Sequence, residues 1–330
     1  GGERQPELRL MARIILRRLA TSVPTIIVST MLVFALRYLL PGGPVEAMLG
    51  GGTGQYTSSQ IAAIEARLGL NAPVPVQYWR WLTGVLHGNL GTSYYSQQPV
   101  TAVIGPRVIP SLELIIGALV VSTVIGGGLG ILAAVMRGRP SGRSVQLATG
   151  LGLSVPDFWL ATVAAGVLGL TWHVFPPVGF TPISQSLTGN IDTLVLPVLV
   201  LSVVTGSFLA RHVSSAMASA LDSPYIRSAW AMGLPPRKIY LNCALRNAVA
   251  PVITFIPLAF AALVGGTVLV ENIFAIPGLG SEIVTSVTNE DYPVVQAIVL
   301  LVGVLVAVLN LLADIGLAFF DPRIRNAISE

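Results

Sequence analysis

Six long stretches of this chain are almost free of charged side chains, and this pattern constrains the fold most. A helix rises about 1.5 Å per residue, so roughly 20 apolar residues cross the hydrocarbon core of a bilayer. The stretches cover residues 19–36, 114–136, 144–172, 193–210, 247–270 and 292–313. They are continuously apolar rather than alternating, which argues against a transmembrane barrel. The sequence therefore predicts an all-α integral membrane protein with six transmembrane helices.

The overall composition agrees with this prediction. Hydrophobic residues make up 53% of the chain and charged residues only 10%, whereas soluble domains carry about 25% charged residues. The surplus apolar surface must face something other than water, and a lipid bilayer satisfies that requirement.

The placement of the basic residues predicts the orientation. Fifteen of the 19 Lys and Arg residues fall in the two terminal arms and in the links that follow the second and fourth stretches. By the positive-inside rule these segments, and hence both termini, are cytosolic. Since the basic residues lie at membrane edges, the net charge of +4 marks topology, and nucleic acid is excluded as a partner.

The long loop after the first helix, residues 41–107, is expected outside the cell membrane and structured. A capping-box pattern predicts a helix over residues 58–68, and a second helix is expected after Pro75. The second carries aromatic side chains that suit the headgroup zone, namely Tyr78, Trp79 and Trp81. Two interpretations stay open: a docking surface for an external partner, or a lid packed on the helix ends.

The cytosolic link 211–246 is too apolar for a simple connection. Ser223 and Pro224 form a helix start, and Gly233 forms a stop, which brackets a helix over residues 224–232. So short a helix is marginal alone in water and must be held by packing.

This short helix carries large side chains that are expected to be exposed: Tyr225, Ile226, Trp230 and Met232. Large apolar residues on a short cytosolic element indicate a protein interface. The alternative is that the helix lies against the inner membrane surface.

Motifs for catalysis are missing from the sequence. There is no phosphate-binding GxxxxGK[ST] loop, since the only lysine, Lys238, follows Arg237. The single cysteine, Cys243, and three scattered histidines give no metal-ligand spacing. We therefore expect no cofactor and no enzymatic activity in this chain, and any work done by ATP must come from another subunit.

Asp157 is the one acidic residue deep within a predicted span, behind Pro156. An ionisable group at that depth indicates a cavity or pathway, with Ser154 and Phe158 as neighbouring candidates. Alternatively, the helix breaks at Pro156 and Asp157 caps the next segment. The glycines at 126–128 and 265–266 are open to two interpretations as well, sliding contacts or plain close-packing sites.

Several motifs together resemble a known family. Residues 225–234, YIRSAWAMGL, and 244–248, ALRNA, resemble the cytoplasmic coupling loop of ABC importer permeases, and more specifically the B-type permease of dipeptide and oligopeptide importers. The supporting motifs are LPGGPV at 40–45, LGL at 68–70, VQY at 76–78, LGTS at 90–93, SVPDFW at 154–159, ENIFAIPGLG at 271–280, DYPVVQ at 291–296 and DPRIR at 321–325. Gly43 and Asn89 stand where the family usually has aspartate. Trp230 and Met232 replace common basic residues, which bears on which ATPase the helix accepts.

The resemblance implies a type I ABC importer permease fold in a bacterial inner membrane. Its implied divisions are a cytosolic arm 1–18, a first transmembrane helix 19–40, an extracytoplasmic domain 41–107, a permease core 98–318 containing the coupling loop 211–246, and a tail 319–330. The implied coupling residues are Ser223, Pro224, Tyr225, Ile226, Arg227, Ala229, Trp230, Gly233 and Leu234.

The implied partners are a homologous C-type permease in a heterodimer, two ATPase subunits or one fused ATPase holding ATP and Mg, and an extracytoplasmic substrate-binding protein. The implied function is ATP-driven import of di- and oligopeptides. Alternatives are the same machinery importing a nickel chelate or glutathione, or a gradient-driven secondary transporter. The last would be expected to show an inverted repeat and several midplane charges, and neither is visible in the sequence.

Overall fold

The computed structural model describes residues 20–35 and 70–320, together with residues 16, 57, 59, 62, 63, 65 and 66. For 246–248, 250, 251 and 317–320 only the backbone is described. The predicted arm 1–18, the helix predicted over 58–68 and the tail beyond residue 320 lie outside the described residues, apart from those isolated positions.

The described chain is built from helices and contains no strand in 20–35 or 70–320. The helices are α1 Ala20–Ala35, α2 Val74–Leu86, α3 Val100–Val135, α4 Pro140–Ser154, α5 Asp157–Thr171, α6 Leu187–Leu221, α7 Pro224–Ala231, α8 Leu245–Ile273, α9 Leu279–Thr288 and α10 Tyr292–Phe320. π-Helical turns occur within α3 at Ser122–Gly126 and at the end of α5. A further π-helical stretch, Ile239–Ala244, leads into α8.

Four of these helices, α3, α6, α8 and α10, contain segments long and apolar enough to cross a membrane. The pair α4 and α5 forms a fifth candidate, although it is bent by 97°. The described part of α1 is apolar but shorter. The all-helical, multi-span prediction is confirmed, while the count of six stays a prediction.

The break between α4 and α5 has a local cause. Val155 and Pro156 both adopt extended backbone angles, with ψ of 123° and 138°. Proline cannot donate the helical hydrogen bond, and it disfavours helical geometry in the residue before it. The predicted break at Pro156 is therefore confirmed. The accompanying expectation that Asp157 caps α5 is wrong, because its carboxylate makes no such hydrogen bond within the described residues.

The chain divides into two compact units. The first contains Leu112–Ile276 and the chain from Val306 onward. Within it α6 is the central helix and packs against α3, α4 and α8. A Cβ added to Gly126 would lie 2.3 Å from the carbonyl oxygen of Gly206, so the two backbones touch. The close-packing interpretation is confirmed at Gly126, whereas a Cβ at Gly128 would meet nothing within 4 Å.

The second unit contains Leu19–Ser111 and Pro277–Leu305. Its apolar core joins the first turns of α3 to α9 and α10. Buried Asp291 accepts hydrogen bonds from the Ser93 hydroxyl and, at 2.9 Å, from the Tyr94 amide. Arg107 pairs with the largely buried Glu282 at 2.6 Å. The Asp291 bonds fasten the segment after α2 to the start of α10, and the ion pair fastens α3 to α9.

Helix α2 packs on α1 through Tyr78. Its ring meets Phe34 edge-on at 5.5 Å, and its hydroxyl lies 3.0 Å from that of Thr30. Trp79, on the same helix, is 64% exposed. One face of α2 thus packs against α1, as expected for a lid, and another face remains accessible.

Candidate functional site

The N-terminal end of α7 lies directly beyond α6. Ser223 takes the position before the helix with extended backbone angles, and Pro224 begins the helix as predicted. The Ser223 hydroxyl, however, donates to the carbonyl of Ala220 at the end of α6. The expected side-chain cap on α7 is therefore absent, and the hydroxyl satisfies a carbonyl of the preceding helix instead.

The C-terminal end of α7 is closed by a glycine in the left-handed region. Gly233 has φ +75°, and its N–H donates to the Trp230 carbonyl at 3.0 Å. The Leu234 N–H donates to the Ala229 carbonyl at 3.2 Å. This pair of bonds is the Schellman arrangement. It ends the helix at Ala231, one residue earlier than predicted.

One face of α7 is anchored in the protein. Ile226 and Ala229 are buried and pack with Ile239, flanked by Leu221, Leu234 and Cys243. The expectation that Ile226 is exposed is wrong, because its side chain is 0% exposed. Burial of this isoleucine supplies the packing that so short a helix requires.

Several large side chains of α7 and of its C-terminal end are exposed. Tyr225 is 49%, Trp230 43% and Met232 74% exposed. The Trp230 ring meets Tyr240 edge-on, with 6.2 Å between ring centroids, which restricts its orientation. Arg227 is also exposed. We call these four residues the α7 surface. The nine predicted coupling residues thus include buried residues that anchor α7, residues that form its two ends, and exposed residues.

An ion pair beside α7 was not predicted. Arg137, just after α3, contacts the carboxylate of Asp222, just after α6, at 2.7 Å. Both side chains are more than half exposed, so the pair adds little stability. Nothing in the spacing of two residues so far apart in the chain identifies such a contact.

The predicted pathway residues are only partly brought together. Asp157 begins α5, and one carboxylate oxygen lies 3.3 Å from the point where a Cβ on Gly266 of α8 would sit. Its other carboxylate oxygen is buried and has no hydrogen-bond partner in the described part of the chain. Ser154 and Phe158 are exposed, and the Ser154 hydroxyl donates to its own helix at Gly150. Within residues 20–35 and 70–320, no three His, Cys, Asp or Glu side chains group to hold a metal.

Two family descriptions match the chain. Residues 126–326 match "Binding-protein-dependent transport system inner membrane component", and residues 11–114 match the N-terminal part of such membrane components. Both the α7 surface and Asp157 lie within the first match.

Relatives of similar length are found along almost the whole chain. It is 36% identical to the dipeptide transport system permease protein of Escherichia coli K12, covering 96% of this chain and 99% of the relative. A putative peptide transport system permease protein of Brucella melitensis is 35% identical, with coverage of 96% and 99%. The glutathione transport system permease protein of Salmonella paratyphi A is also 35% identical, again covering 96% and 99%.

The fold resembles that of solved chains of the MetNI methionine ABC transporter in inward-facing conformations. One crystal form gives a TM-score of 0.51 at 20% identity, covering 70% of this chain and 98% of the solved one. A second form gives 0.54, covering 69% and 97%.

Proposed function

The chain belongs to the family of binding-protein-dependent transport system inner membrane components, and on this premise we propose that it forms half of the translocation path of an ABC importer for di- or oligopeptides. Relatives named for peptide and dipeptide transport that align along nearly the full length support the substrate class. The chain is a multi-pass inner-membrane protein, in keeping with its family and its apolar helices.

Six spans with both termini in the cytosol are part of the proposal. The four long helices, the bent pair α4–α5 and the shorter α1 supply the six segments. The excess of Lys and Arg in the arms and in the links after α3 and α6 supports the orientation. In this arrangement α7 lies on the cytosolic side.

The observation that carries the proposal is the construction of α7. The helix is anchored by fully buried Ile226 and ended by Gly233, yet it exposes two aromatic rings and a methionine. Such residues are enriched where proteins dock. We place this surface in a groove of an ATPase subunit, since this chain has no nucleotide-binding loop. Motion of the ATPase would then pass through the anchor into α6 and α8.

The complete importer would contain a homologous C-type permease, two ATPase subunits or one fused ATPase, and an external substrate-binding protein. ATP and Mg would be held by the ATPase subunits. The family's description as binding-protein-dependent supports the external partner.

Asp157 is the proposed contact for the charged amino terminus of a passing peptide. Its buried oxygen is unpaired within the described residues, so binding a cation there would break no existing hydrogen bond of that oxygen. Ser154, three residues before Asp157 across the break, and Phe158, directly after it, are both exposed, which suits them to the same path.

A second candidate substrate is glutathione. The relative named for glutathione transport is as similar to this chain as the peptide permeases are. Glutathione also carries a free amino group, so Asp157 serves either substrate equally.

The test is to purify the complex in mild detergent through this chain and identify the subunits that accompany it. We expect a second permease and one or two ATPases. Trp230→Glu should remove the ATPases and keep the second permease, whereas Val178→Glu, at an exposed residue before α6, should keep both. Solute uptake by the chain alone in ATP-free vesicles would instead support a gradient-driven carrier.

The recovered complex also distinguishes the substrates. In proteoliposomes supplied with ATP and the binding protein, competition between a dipeptide mixture and glutathione for uptake identifies the preferred solute.

A further inference from the structure

A cavity of about 460 Å³ opens in the first unit between α3, α4 and α6, away from Asp157. Its size is within the range of small-molecule sites. Its lining includes Leu129, Ala133, Arg137, Gly150, Arg211, Ser214 and Ser215. We call this the α3–α4–α6 cavity. Neither the sequence motifs nor the proposed transport function assigns it a role.

The charged part of the lining is cationic, beside neutral polar side chains that include Gln146, Ser214 and Ser215. It contains Arg137 and Arg211 and no acidic residue. Arg137 is paired with Asp222, whereas Arg211 has no ion-pair partner within the described residues. The hydroxyls of Ser214 and Ser215 likewise make no hydrogen bond to another described residue. A group with several acceptor oxygens and a negative charge complements this set.

Part of the remaining lining is apolar, notably Leu129 and Ala133 of α3, whereas Gln146 and Thr149 of α4 are polar. Arg211 is the first charged residue after the charge-free run 193–210, and Arg137 is the first after 114–136. Both therefore stand at a membrane edge, where Lys and Arg mark the headgroup level. Leu129 lies in α3 six residues before its end at Val135, which is about 9 Å at 1.5 Å per residue, towards the hydrocarbon. The cavity is thus cationic at the edge and apolar along its α3 wall.

We propose that the α3–α4–α6 cavity binds an anionic phospholipid. Its phosphate contacts Arg211 and the outer side of Arg137, the two serine hydroxyls donate to phosphate or glycerol oxygens, and the start of one acyl chain lies along Leu129 and Ala133. Basic cavities between helices at the membrane edge are suited to such headgroups. A free phosphate would leave the apolar wall unused. The inference needs only that the chain lies in a membrane, so it stands apart from the transported solute and from the role of α7.

Two variants have matched controls. Arg211→Gln removes the unpaired cation, and Arg143→Gln removes an exposed arginine of α4 that does not line the cavity. Gly150→Leu fills the cavity, since a Cβ at Gly150 meets nothing within 4 Å. Gly128→Leu adds the same side chain at another glycine with open space, outside the cavity.

The experiment is native mass spectrometry of the full chain with its co-purified subunits, titrated with phosphatidylglycerol, with phosphatidylcholine and with inorganic phosphate. We expect phosphatidylglycerol to bind the unaltered protein preferentially, and Arg211→Gln to weaken it about fivefold. Gly150→Leu should weaken it similarly, while both control variants stay within about twofold of the unaltered protein.

Three results would overturn the proposal. Equal losses in Arg143→Gln and Arg211→Gln would mean diffuse surface attraction. Displacement of the lipid by millimolar inorganic phosphate would identify the ligand as a free anion. Lipid binding to the separated chain but not to the complex would identify this face as a contact for another subunit.

Discussion

Replacing Gly233 by alanine isolates the C-terminal end of α7. A Cβ at this glycine meets nothing within 4 Å, so the substitution creates no collision. Its cost comes only from the backbone angle φ of +75°, which disfavours an L side chain by about 1–2 kcal/mol. The two bonds that close the helix depend on that angle. The open form of the α7 end should therefore become about 5–30 times more populated.

Hydrogen exchange on the purified complex measures this change directly. We expect the backbone amide of Leu234 to exchange about 5–30 times faster in Gly233→Ala, and uptake per ATP hydrolysed to fall in proteoliposomes. Gly233→Asn is the matched control, because asparagine tolerates the left-handed region and should behave nearly as glycine does. If Gly233→Ala exchanged and transported normally, or if the asparagine variant were equally impaired, the assignment of α7 as a stiff coupling element would be refuted.

Three further predictions concern the remaining contacts. Arg107→Gln leaves the largely buried Glu282 without its cation, and we expect a loss of about 2–4 kcal/mol in unfolding free energy, measured by denaturation in detergent. Glu282→Gln in the same background should restore part of that free energy. An additive loss in the double variant would contradict the pairing. Gly126→Ala forces a Cβ into a backbone carbonyl of α6, whereas Gly128→Ala meets open space. Thermal unfolding should therefore shift down for the first variant alone, and equal shifts would argue against the helix contact. Asp157→Asn should preserve folding, since no hydrogen bond is lost within the described residues, but should reduce uptake of peptides with a free amino group relative to amino-acetylated ones. An unchanged ratio would remove Asp157 from the path.

Long-range organisation was predictable from the sequence where a single physical constraint dominates. A bilayer demands long charge-free runs, and these identified the regions of α3, α6, α8 and α10. The ends were less accurate, because helices continue past the apolar run: α6 extends to Leu221, beyond the predicted limit at Ala210. Proline and glycine gave reliable local signals at Pro156 and Gly233.

Side-chain orientation was the weaker part of the prediction. Composition identified α7 as too apolar, but it did not distinguish the buried Ile226 from the exposed Trp230. That distinction depends on which face meets Ile239, a residue beyond the end of the helix. The Ser223 hydroxyl could bond either to the first turn of α7 or to a carbonyl at the end of α6, and in the structure it bonds to the α6 carbonyl. The α3–α4–α6 cavity depends on the packing of α6 against two helices that precede it by more than 30 residues, so no local pattern signals it.

The decisive measurement is to find what touches the α7 surface. Met232→Cys in a Cys243→Ala background places a single thiol at a side chain that is 74% exposed, and a maleimide carrying a photoreactive benzophenone converts it to a short-range probe. If α7 docks on an ATPase, illumination of the assembled complex will link this position to an ATP-hydrolysing subunit, and Val178→Cys in the same background will not reach that subunit. Linkage of position 232 only to lipid or to another copy of this chain, or linkage of position 178 to the ATPase, would contradict it.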